Sequence, residues 1–535
     1  MTVAVPLEHD DRPRASVEAD AAPRRATAWW PLALAGVGAI ALAAGLAIVD
    51  ALPVGVVADD SFYVILARAL ASGEGYRYLN VPGHPPGTHF PPGYPALLAL
   101  LSYVVPAFPA SVVAFKAANA VFLAAASVCV ALLLRSRAGV GAGWSIGVGA
   151  MTAVSVPLLI LGNLVLSELC FLALALALLL ALERLVDEPA SAGRVLALGV
   201  AIGACALVRT HGIVLVPAAV IALGARRRWR DAALLTAAAV ITLLPWQLWV
   251  ARHGGTLPSP LLGMYDSYAS WWVRGARTLG VSMIPATVAK TTAETSTMLA
   301  VLFSPLRGAA ARAVTLVALG VLAAAACAAV WRRMPVTLLF LAGYLAIVLV
   351  WPFQTARFVW TAWPLVLALV AIGGWAALGR PAWRTPVRVA LAVSFGWVAV
   401  GYLAYEVRGI RGQWWSSIPR ANTPRIATAV RWIAANTAPD ELVASDYEGA
   451  VYLYTGRQAL PIITLTPAQY LRDYTPRENA MEGLLPVLEA YPVRTVVAGA
   501  GRSYEATQFL AMQSPTRLRL REQIDGGGIF TVNAP

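Results

Sequence analysis

Two adjacent carboxylates, Asp59 and Asp60, are the residues of this chain whose type and position best suit catalysis. They follow the first long apolar segment and open the stretch Asp59–Pro95, whose second half is rich in Pro, Gly, His and Tyr. A carboxylate held in position can act as a general base and accept the proton of a hydroxyl group. The structural alternative is that both residues cap a helix, since Asp is favoured at helix N-termini. The local pattern leaves both interpretations open.

A second group with chemical potential consists of basic residues at the outer ends of apolar segments, against the usual preference for positive charge in the cytosol. This group is Arg209, Arg252 and Arg357. A guanidinium can give a phosphate two parallel hydrogen bonds, so these residues are candidates for holding one. Each could instead contact lipid headgroups or the C-terminus of a helix.

Histidines and one further acid map to the same outer side. They are His84, His89, His211, His253 and Glu168. The histidines are either ordinary loop residues or, together with Asp60, ligands of a divalent metal. Glu168 is either a site acid or the cap of a turn. The long loop from Arg252 to about Ala310 adds aromatic residues that are typical of a membrane interface, with a sugar or lipid platform as the alternative.

A short amphipathic helix is predicted to position the acid pair. Its apolar residues recur at the spacing of one helical face, and Gly73 and Gly75 end it. The apolar residues are Phe62, Ile65, Leu66, Ala69 and Leu70. A helix with one apolar face beside a membrane is expected to lie in the interface, which places both carboxylates near lipid headgroups.

The composition identifies the class of protein. Hydrophobic residues make up 59% of the 535 residues, charged residues only 13%, and the mean hydropathy is +0.67. A soluble chain carries about a quarter charged residues, so we predict a polytopic membrane protein. The formal net charge of +13 does not indicate nucleic-acid binding, because the Arg residues flank apolar segments. Four cysteines in separate apolar runs lack the spacing of metal ligands.

About eleven α-helical spans are predicted. They are Trp30–Val49, Val112–Leu134, Gly143–Leu161, Val165–Leu182, Val195–Val208, Gly212–Leu223, Ala232–Val250, Val314–Trp331, Val336–Val350, Val359–Ala377 and Val389–Tyr405. A cytosolic N-terminus places the Arg clusters between spans in the cytosol. Gly93–Val105 is short for a span and is expected to be a second juxtamembrane helix.

Three regions follow from this organisation. Residues 1–28 are polar and are expected to form a disordered cytosolic tail. Residues 29–411 form the transmembrane domain, and its first extracytosolic loop, 52–111, carries the acid pair. Residues 412–535 are richer in charge, and alternating strand and helix patterns predict a small extracytosolic α/β domain. The predicted strands are Glu441–Ser445, Val493–Ala498, Leu518–Gln523 and Ile529–Val532.

Several motifs, taken in order, resemble the GT-C superfamily of membrane glycosyltransferases, and most closely the branch of protein O-mannosyltransferases and aminoarabinose transferases. The motifs are DDSFYVILARALASGEGY, HFPPGYPALLALL, SELCFLALALALLLALERL, LVRTHGIVLVPA, LPWQLWVARHGGTLPSP and QTARFVWTAWPLVLALV. The resemblance covers roughly residues 30–405. It implies an acidic pair in the first extracytosolic loop and a sugar donor carried on a polyprenyl phosphate.

The resemblance also implies roles for individual residues. Asp59 stands four residues before Tyr63, similar to the leading acid of the aminoarabinose transferases, and Asp60 matches the second acid. The run that begins at His89 reads His-Phe-Pro-Pro where those transferases have Glu-Lys-Pro-Pro, so that acid and the phosphate-binding Lys are absent here. Lys116 stands near a family Arg that opens the second span.

The sequence therefore predicts an inverting glycosyltransferase in the cell membrane that moves a sugar from a polyprenyl-phosphate donor to a protein, lipid or polysaccharide acceptor outside the cytosol. Asp59 and Asp60 are expected to be catalytic, and the substrate is expected to contact Tyr63, His89, Lys116, Arg209, Arg252 and Arg357. No metal ligands are assigned, and a divalent metal cofactor is left open. The alternatives are a lipid or glycolipid transporter or flippase and a non-catalytic scaffold whose exported domain binds a partner.

Overall fold

The computed structural model describes residues 29–255, 257–351, 353–379 and 385–533. The predicted tail at 1–28 lies outside these ranges. Up to residue 411 the described chain is mainly helical, as expected where backbone groups must find hydrogen bonds within an apolar segment.

The helices of this part are α1 (Trp30–Ala47), α2 (Ala58–Ala71), α3 (Gly93–Ser102), α4 (Ser111–Leu133), α5 (Ala142–Ala153), α6 (Val156–Gly162), α7 (Glu168–Asp187), α8 (Ala192–Val208), α9 (Leu215–Ala225), α10 (Trp229–His253), α11 (Tyr268–Leu279), α12 (Met283–Phe303), α13 (Ala309–Val330), α14 (Pro335–Leu349), α15 (Ala356–Gly379) and α16 (Thr385–Arg411). A π-helical turn, Leu134–Ala138, extends α4, and a 3₁₀ turn, Thr210–Val214, leads into α9.

The described residues contain seven helices that are long and apolar enough to cross a membrane, or eight if the bent pair α5 and α6 counts as one span. The seven are α1, α4, α7, α10, α13, α15 and α16. The other predicted spans coincide with the shorter apolar helices α8, α9 and α14. Length and composition thus confirm a polytopic helical protein, while the number eleven stays a prediction.

Buried acidic side chains from neighbouring helices cap the N-termini of two of the short helices. Glu406 on α16 accepts a hydrogen bond from the backbone N–H of Val156 at 2.8 Å, at the start of α6. Glu183 on α7 accepts from both the backbone N–H and the hydroxyl of Thr337, at 2.7 and 2.8 Å, in the first turn of α14. A carboxylate at a helix N-terminus satisfies N–H groups that have no partner within the helix. These acids therefore serve helix packing.

The structure corrects the expected surroundings of α2. Its apolar face is buried, apart from the half-buried Leu70. Residues on its other sides, including Ser61, Val64 and Ala67, are buried as well, while Arg68 is exposed. One side of the helix packs against α3 and another against the C-terminal region. The helix is therefore enclosed by protein and does not lie with a polar face open to headgroups.

The interval from Arg252 to about Ala310 is also more ordered than a loop. It contains α11 and the 21-residue helix α12. A row of threonines on α12, Thr287, Thr291 and Thr295, is buried, and α12 packs against α13, α14, α15 and α16. The hydroxyl of Thr291 donates to the carbonyl of Leu349 at the end of α14, which fixes α12 against the membrane helices.

The C-terminal region forms a five-stranded mixed sheet with helices. The elements are α17 (Ser417–Asn436), β1 (Val443–Ser445), α18 (Glu448–Thr455), β2 (Ala459–Leu460), α19 (Pro467–Leu471), α20 (Pro476–Asn479), α21 (Leu485–Ala490), β3 (Thr495–Ala498), α22 (Arg502–Gln513), β4 (Leu518–Ile524) and β5 (Gly527–Val532). The strand order is β2-β1-β3-β5-β4, with β1 parallel to β2 and β3 and with β5 antiparallel to β3 and β4. All four predicted strands are present, and β2 and α18 were not predicted.

This C-terminal region packs directly on the loop that carries the acid pair. At Gly449 a side chain would place its Cβ 2.1 Å from Ser61 Oγ, so α18 and α2 approach as closely as a glycine allows. Two hydrogen bonds extend this contact. The backbone N–H of Ala459 donates to the carbonyl of Asn80 at 2.8 Å, and the side-chain amide of Asn422 donates from Nδ2 to the carbonyl of Val56 at 3.0 Å. The sheet is thereby fixed against the loop from 54 to 90.

Candidate active site

A cavity of about 640 Å³ lies where the membrane helices, the first loop and the C-terminal region meet. Its walls come from the start of α2, the loop at 89–91, the turn at 208–211, α12, Trp351, the segment at 353–360 and the C-terminal segment at 465–473. Segments that are hundreds of residues apart in the chain therefore line one cavity, as a catalytic or binding site requires.

Asp59 and Arg357 form an ion pair in this cavity. Arg357 Nη2 donates to Asp59 Oδ2 at 2.6 Å, a short charge-assisted hydrogen bond. The side chains of Asp59 and Arg357 are 26% and 25% exposed, so both remain accessible from the cavity. Asp59 lies in the first turn of α2 and Arg357 in the first turn of α15, at the outer end predicted for that span.

A second ion pair extends the first. Arg209 Nη1 lies 2.9 Å from Glu168 Oε1, and Arg357 Nη1 lies 3.8 Å from the same oxygen. Arg209 also donates to Ser167 Oγ at 3.0 Å, and that hydroxyl lies 3.0 Å from the Tyr63 hydroxyl. Glu168 is fully buried, so its charge needs the two guanidiniums. The result is a network of two acids and two bases in which Tyr63 takes part.

The pKa values of the two neighbouring carboxyl groups shift in opposite directions. Burial raises the pKa of Asp59, but the charge and hydrogen bond of Arg357 lower it, and the pKa ends below its ordinary value. Asp59 is therefore ionised at neutral pH. Burial raises the pKa of Asp60 to about 7, although backbone N–H groups, that of Gly55 first, lower it. Near pH 7, Asp60 is thus divided between its neutral and charged forms.

Asp60 does not face the cavity. Its side chain is 1% exposed, and its Oδ1 accepts from the backbone N–H of Gly55 at 2.9 Å. Gly55 has a φ of +99°, which suits glycine, and its α-carbon packs against Ala450 of α18. The structure therefore places Asp59 at the cavity and Asp60 in the turn that leads into α2.

His89 lines the cavity beside the acid. Its Nδ1 lies 2.7 Å from the backbone carbonyl of Asp266, and because a carbonyl only accepts, Nδ1 must carry the proton. Burial lowers the pKa of His89, while the Asp266 carbonyl and the charge of Asp59 raise it, and the pKa ends below its ordinary value. A neutral ring with the proton on Nδ1 leaves Nε2 as a hydrogen-bond acceptor.

Two of the predicted substrate contacts do not line the cavity. Lys116 is 3% exposed and forms an ion pair with Asp50 at 2.6 Å, and its ammonium also donates to the carbonyls of Asp50 and Leu52. Arg252 is an exposed residue in the last turn of α10. The structure brings together Asp59, Tyr63, His89, Arg209 and Arg357, and it places Lys116 in a packing role behind the first loop.

The divalent metal left open by the sequence has no ready set of ligands here. In the described ranges, no three His, Cys, Asp or Glu side chains are grouped as a metal ion would need. The carboxylates of the ion-pair network, Asp59 and Glu168, are paired with guanidiniums. All four cysteines are free, in line with their predicted role as small apolar residues.

Several residues of the site were not assigned a role from sequence. Lys290 and Glu294 on α12 line the cavity, as do Trp351, Phe353 and Tyr470. Lys290 donates to the carbonyl of Tyr470 and lies 3.9 Å from the centre of its ring, which ties α12 to the C-terminal region. A usable signal was the scarcity of lysine: the chain has only Lys116 and Lys290, and neither is free at the surface.

No family model matches the chain, and no curated protein matches it by sequence. Solved structures do share its fold. The crystal structure of ArnT, the aminoarabinose transferase of Cupriavidus metallidurans, bound to undecaprenyl phosphate, aligns over 95% of this chain and 98% of its own, with a TM-score of 0.53 and 13% identity. The oligosaccharyltransferase AglB of Archaeoglobus fulgidus, in complex with an inhibitory peptide and a dolichol-phosphate, aligns over 90% of this chain and 71% of its own, with a TM-score of 0.53 and 12% identity.

A further structure of the Archaeoglobus fulgidus oligosaccharyltransferase, tethered to an acceptor peptide, aligns with a TM-score of 0.51 and 11% identity, over 90% of this chain and 71% of its own. These proteins are members of the GT-C superfamily. The resemblance predicted from the sequence motifs is therefore confirmed by the fold.

Proposed function

We propose that this protein is an inverting glycosyltransferase that moves a sugar from a polyprenyl-phosphate donor to an acceptor on the extracytosolic side of the cell membrane. The observation that carries the proposal is the Asp59–Arg357 pair, in which an ionised carboxylate and a guanidinium, a group well suited to phosphate, are both accessible from the cavity. The fold supports it, since structures with this fold are bound to undecaprenyl phosphate or a dolichol-phosphate.

In the proposed reaction the acceptor hydroxyl attacks the anomeric carbon from the side opposite the phosphate. The new carbon–oxygen bond forms as the bond from the anomeric carbon to the phosphate oxygen breaks, and the polyprenyl phosphate leaves with the electron pair. The Asp59 carboxylate takes the proton of the hydroxyl. Direct displacement of this kind inverts the anomeric configuration.

The two guanidiniums would stabilise the leaving phosphate. Arg357 reaches the cavity with a quarter of its side chain exposed, and Arg209 lies behind it, held by Glu168. Cations positioned before the reaction cost no reorganisation when negative charge develops on the phosphate. Glu168 keeps both of them in place, and Tyr63 orients Ser167 beside Arg209.

The proposal includes the finer organisation predicted from sequence. Eleven spans, with a cytosolic N-terminus, place the cavity and residues 412–535 outside the cytosol. The acceptor is then a protein, lipid or polysaccharide of the cell envelope.

The test uses the purified full chain in lipid nanodiscs with a polyprenyl-phosphate sugar labelled in the sugar, and with delipidated envelope fractions as acceptors. Release of polyprenyl phosphate together with label in an acceptor is expected, and Asp59→Asn should abolish both. A transporter would instead move the intact donor across vesicles without releasing polyprenyl phosphate, and Asp59→Asn would leave that movement unchanged.

A further inference from the structure

The cavity extends beyond the ion-pair network to a second part, which we call the α12 subsite. Its residues are Lys290 and Glu294 of α12, together with Phe353, Gln469 and Tyr470. The ring centroid of Phe353 lies 6.3 Å from that of His89 and 6.1 Å from that of Tyr470. Phe353 therefore links the part of the cavity beside the first loop to the part beside the C-terminal region.

Glu294 is the acid of this subsite, and none of the ion pairs among the described residues includes it. The side chain is half-buried, and its Oε2 accepts from the backbone N–H of Thr355 at 3.3 Å. Lys290, one turn earlier on the same face of α12, donates to the carbonyl of Tyr470 instead. Because a carboxylate accepts several hydrogen bonds, Glu294 keeps the capacity to bind a ligand.

Two further polar groups of the subsite have no partner. Gln469 is 3% exposed, and neither its Nε2 nor the hydroxyl of Tyr470 forms a hydrogen bond within the described part of the chain. Burial, and then the charge of Glu294, raise the pKa of Tyr470, which places these two side chains close together. Buried polar groups are nearly always paired, so unpaired ones that line a cavity indicate a bound molecule. That molecule would meet an acceptor on Glu294, a donor on Gln469 and a hydroxyl that can do either.

The subsite adjoins the part of the cavity lining that is open to solvent. The exposed residues among the described lining are Gln354, Arg472, Asp473 and Arg502, and three of these belong to the C-terminal region. The lining at the ends of the membrane helices, such as Leu161 and Val208, is buried. The lipid chain of a polyprenyl-phosphate donor belongs with the membrane helices. The acceptor then enters from the solvent side, where it meets the α12 subsite.

We propose that the α12 subsite binds the acceptor and that the acceptor is a carbohydrate with several hydroxyl groups. This inference rests on the proposed function. A sugar hydroxyl can donate to Glu294 and accept from Gln469, and the apolar C–H face of a sugar can pack on Phe353. Extended peptides commonly bind along the edge of a sheet, and none of the described residues that line the cavity lies in β1–β5. A lipid acceptor would meet polar groups where it needs apolar surface.

The class of the acceptor is tested with the purified full chain in lipid nanodiscs and a polyprenyl-phosphate sugar labelled in the sugar. Cell-envelope material serves as the acceptor in four portions. One is untreated, one is digested with protease, one is extracted with organic solvent, and one is oxidised with periodate, which cleaves the vicinal diols of carbohydrates and is then removed. Periodate is expected to abolish transfer of label to the acceptor, whereas protease and lipid extraction should leave it.

The subsite itself is tested with two conservative variants. Glu294→Gln keeps an acceptor for the N–H of Thr355 but loses the charge, and Tyr470→Phe removes only a hydroxyl that has no partner. The amount of acceptor that gives the half-maximal rate should rise about tenfold for Glu294→Gln and about threefold for Tyr470→Phe, since hydrogen bonds to charged groups are the stronger ones. The KM for the donor should not change. The matched control is Glu489→Gln, at an exposed position of the C-terminal region outside the cavity lining.

Each outcome decides the inference. Loss of transfer after periodate, with a raised acceptor requirement and an unchanged donor KM in Glu294→Gln, supports it. Loss of transfer after protease or lipid extraction identifies a peptide or lipid acceptor and overturns it, while glycosyl transfer itself stands. A raised donor KM in Glu294→Gln, or a lower maximal rate with an unchanged acceptor requirement, also overturns it. If the untreated portion releases no polyprenyl phosphate from the donor, the proposed function fails and the subsite with it.

Discussion

Arg357 Nη2 lies 2.6 Å from Asp59 Oδ2, although 298 residues separate the two in the chain. The pair joins the first turn of α2 to the first turn of α15. Arg357 also approaches the buried Glu168 at 3.8 Å, so it is shared between an accessible acid and an inaccessible one. A donor phosphate that entered the cavity would meet the Arg357 guanidinium already held in position. Asp59, once released from Arg357, could then accept a hydrogen bond from the acceptor hydroxyl.

Replacement of Asp59 by Asn should abolish most of the transfer. The amide cannot accept the proton of the acceptor hydroxyl, and loss of a general base costs about a hundred- to ten-thousand-fold in rate. Because Asn keeps the size of the side chain and the pair is a quarter exposed, the free energy of unfolding should change by about 1 kcal/mol or less. Turnover and thermal unfolding are measured on the same preparation. A folded Asp59→Asn protein with near wild-type turnover would show that Asp59 serves only in the ion pair with Arg357.

Two substitutions of Arg357 separate the effect of its charge from the effect of its hydrogen-bond geometry. Arg357→Ala should lose more activity than Arg357→Lys, because the lysine keeps the charge but not the two parallel hydrogen bonds. Both variants should accumulate the lipid-linked donor in cells, measured by mass spectrometry of extracted lipids. The matched control is Arg252→Ala, at an exposed position away from the cavity, which should leave turnover unchanged. Wild-type turnover in Arg357→Ala would exclude the role in phosphate binding.

Asp60 predicts a pH dependence of stability. Its pKa is about 7 in the folded chain against an ordinary value of 3.8, so the unfolded chain loses this proton first as the pH rises. The contribution of Asp60 to the free energy of unfolding is therefore largest below about pH 4, falls between pH 4 and 7, and is constant above. Asp60→Asn removes this slope, so the unfolding temperature of the wild type should rise relative to the variant as the pH falls from 7 to 4. Parallel curves over this range would contradict the buried, protonated carboxyl.

Topology reasoning predicted a large part of this site. Arg209 and Arg357 were singled out because positive charge at the outer end of a span is unusual, and the structure places both next to acids at the cavity. Arg252 met the same criterion but is exposed and is not among the residues that line the cavity. The criterion selects residues at the ends of helices, whereas the position around the bundle depends on which helices pack together.

Lys116 and the C-terminal region are two parts of the structure that local sequence patterns could not predict. The partner of Lys116 is Asp50, 66 residues earlier, and the hydrogen bond from Asn163 to the same carboxylate completes the contact. The spacing of neighbouring residues in the sequence cannot predict a pair between residues so far apart in the chain. The segment at 465–473 likewise has no catalytic motif, so it was assigned no chemistry, yet it forms part of the cavity through contacts with α11 and α12.

Membrane orientation can be tested with reporter fusions. The distribution of Arg clusters predicts that the loop before α13 and the C-terminal region are both exported. Fusions at Ala310 and after Val532 should therefore activate a reporter that works only outside the cytosol and leave a cytosolic reporter inactive. A cytosolic signal from the C-terminal fusion would place residues 412–535 on the wrong side for the proposed reaction and would overturn the orientation.

The contact between Gly449 and Ser61 offers a test of whether the C-terminal region supports the acid pair. A Cβ at Gly449 would lie 2.1 Å from Ser61 Oγ and 2.6 Å from Ser61 Cβ, so Gly449→Ala must push α18 away from α2. Overpacking of this kind costs about 1–3 kcal/mol. Turnover should fall together with the unfolding temperature, because the first turn of α2 carries Asp59.

A second substitution at this contact, Ser61→Gly, should restore the activity that Gly449→Ala loses. Ser61→Gly removes the two Ser61 atoms with which the new methyl group would clash. The double variant should therefore recover turnover relative to Gly449→Ala, and a double-mutant cycle measures the coupling. Gly193→Ala is the matched control, since a Cβ there meets no heavy atom within 4 Å. Additive effects of Gly449→Ala and Ser61→Gly would mean that α18 does not press on α2. The C-terminal region would then have to influence transfer, if at all, through its wall of the cavity.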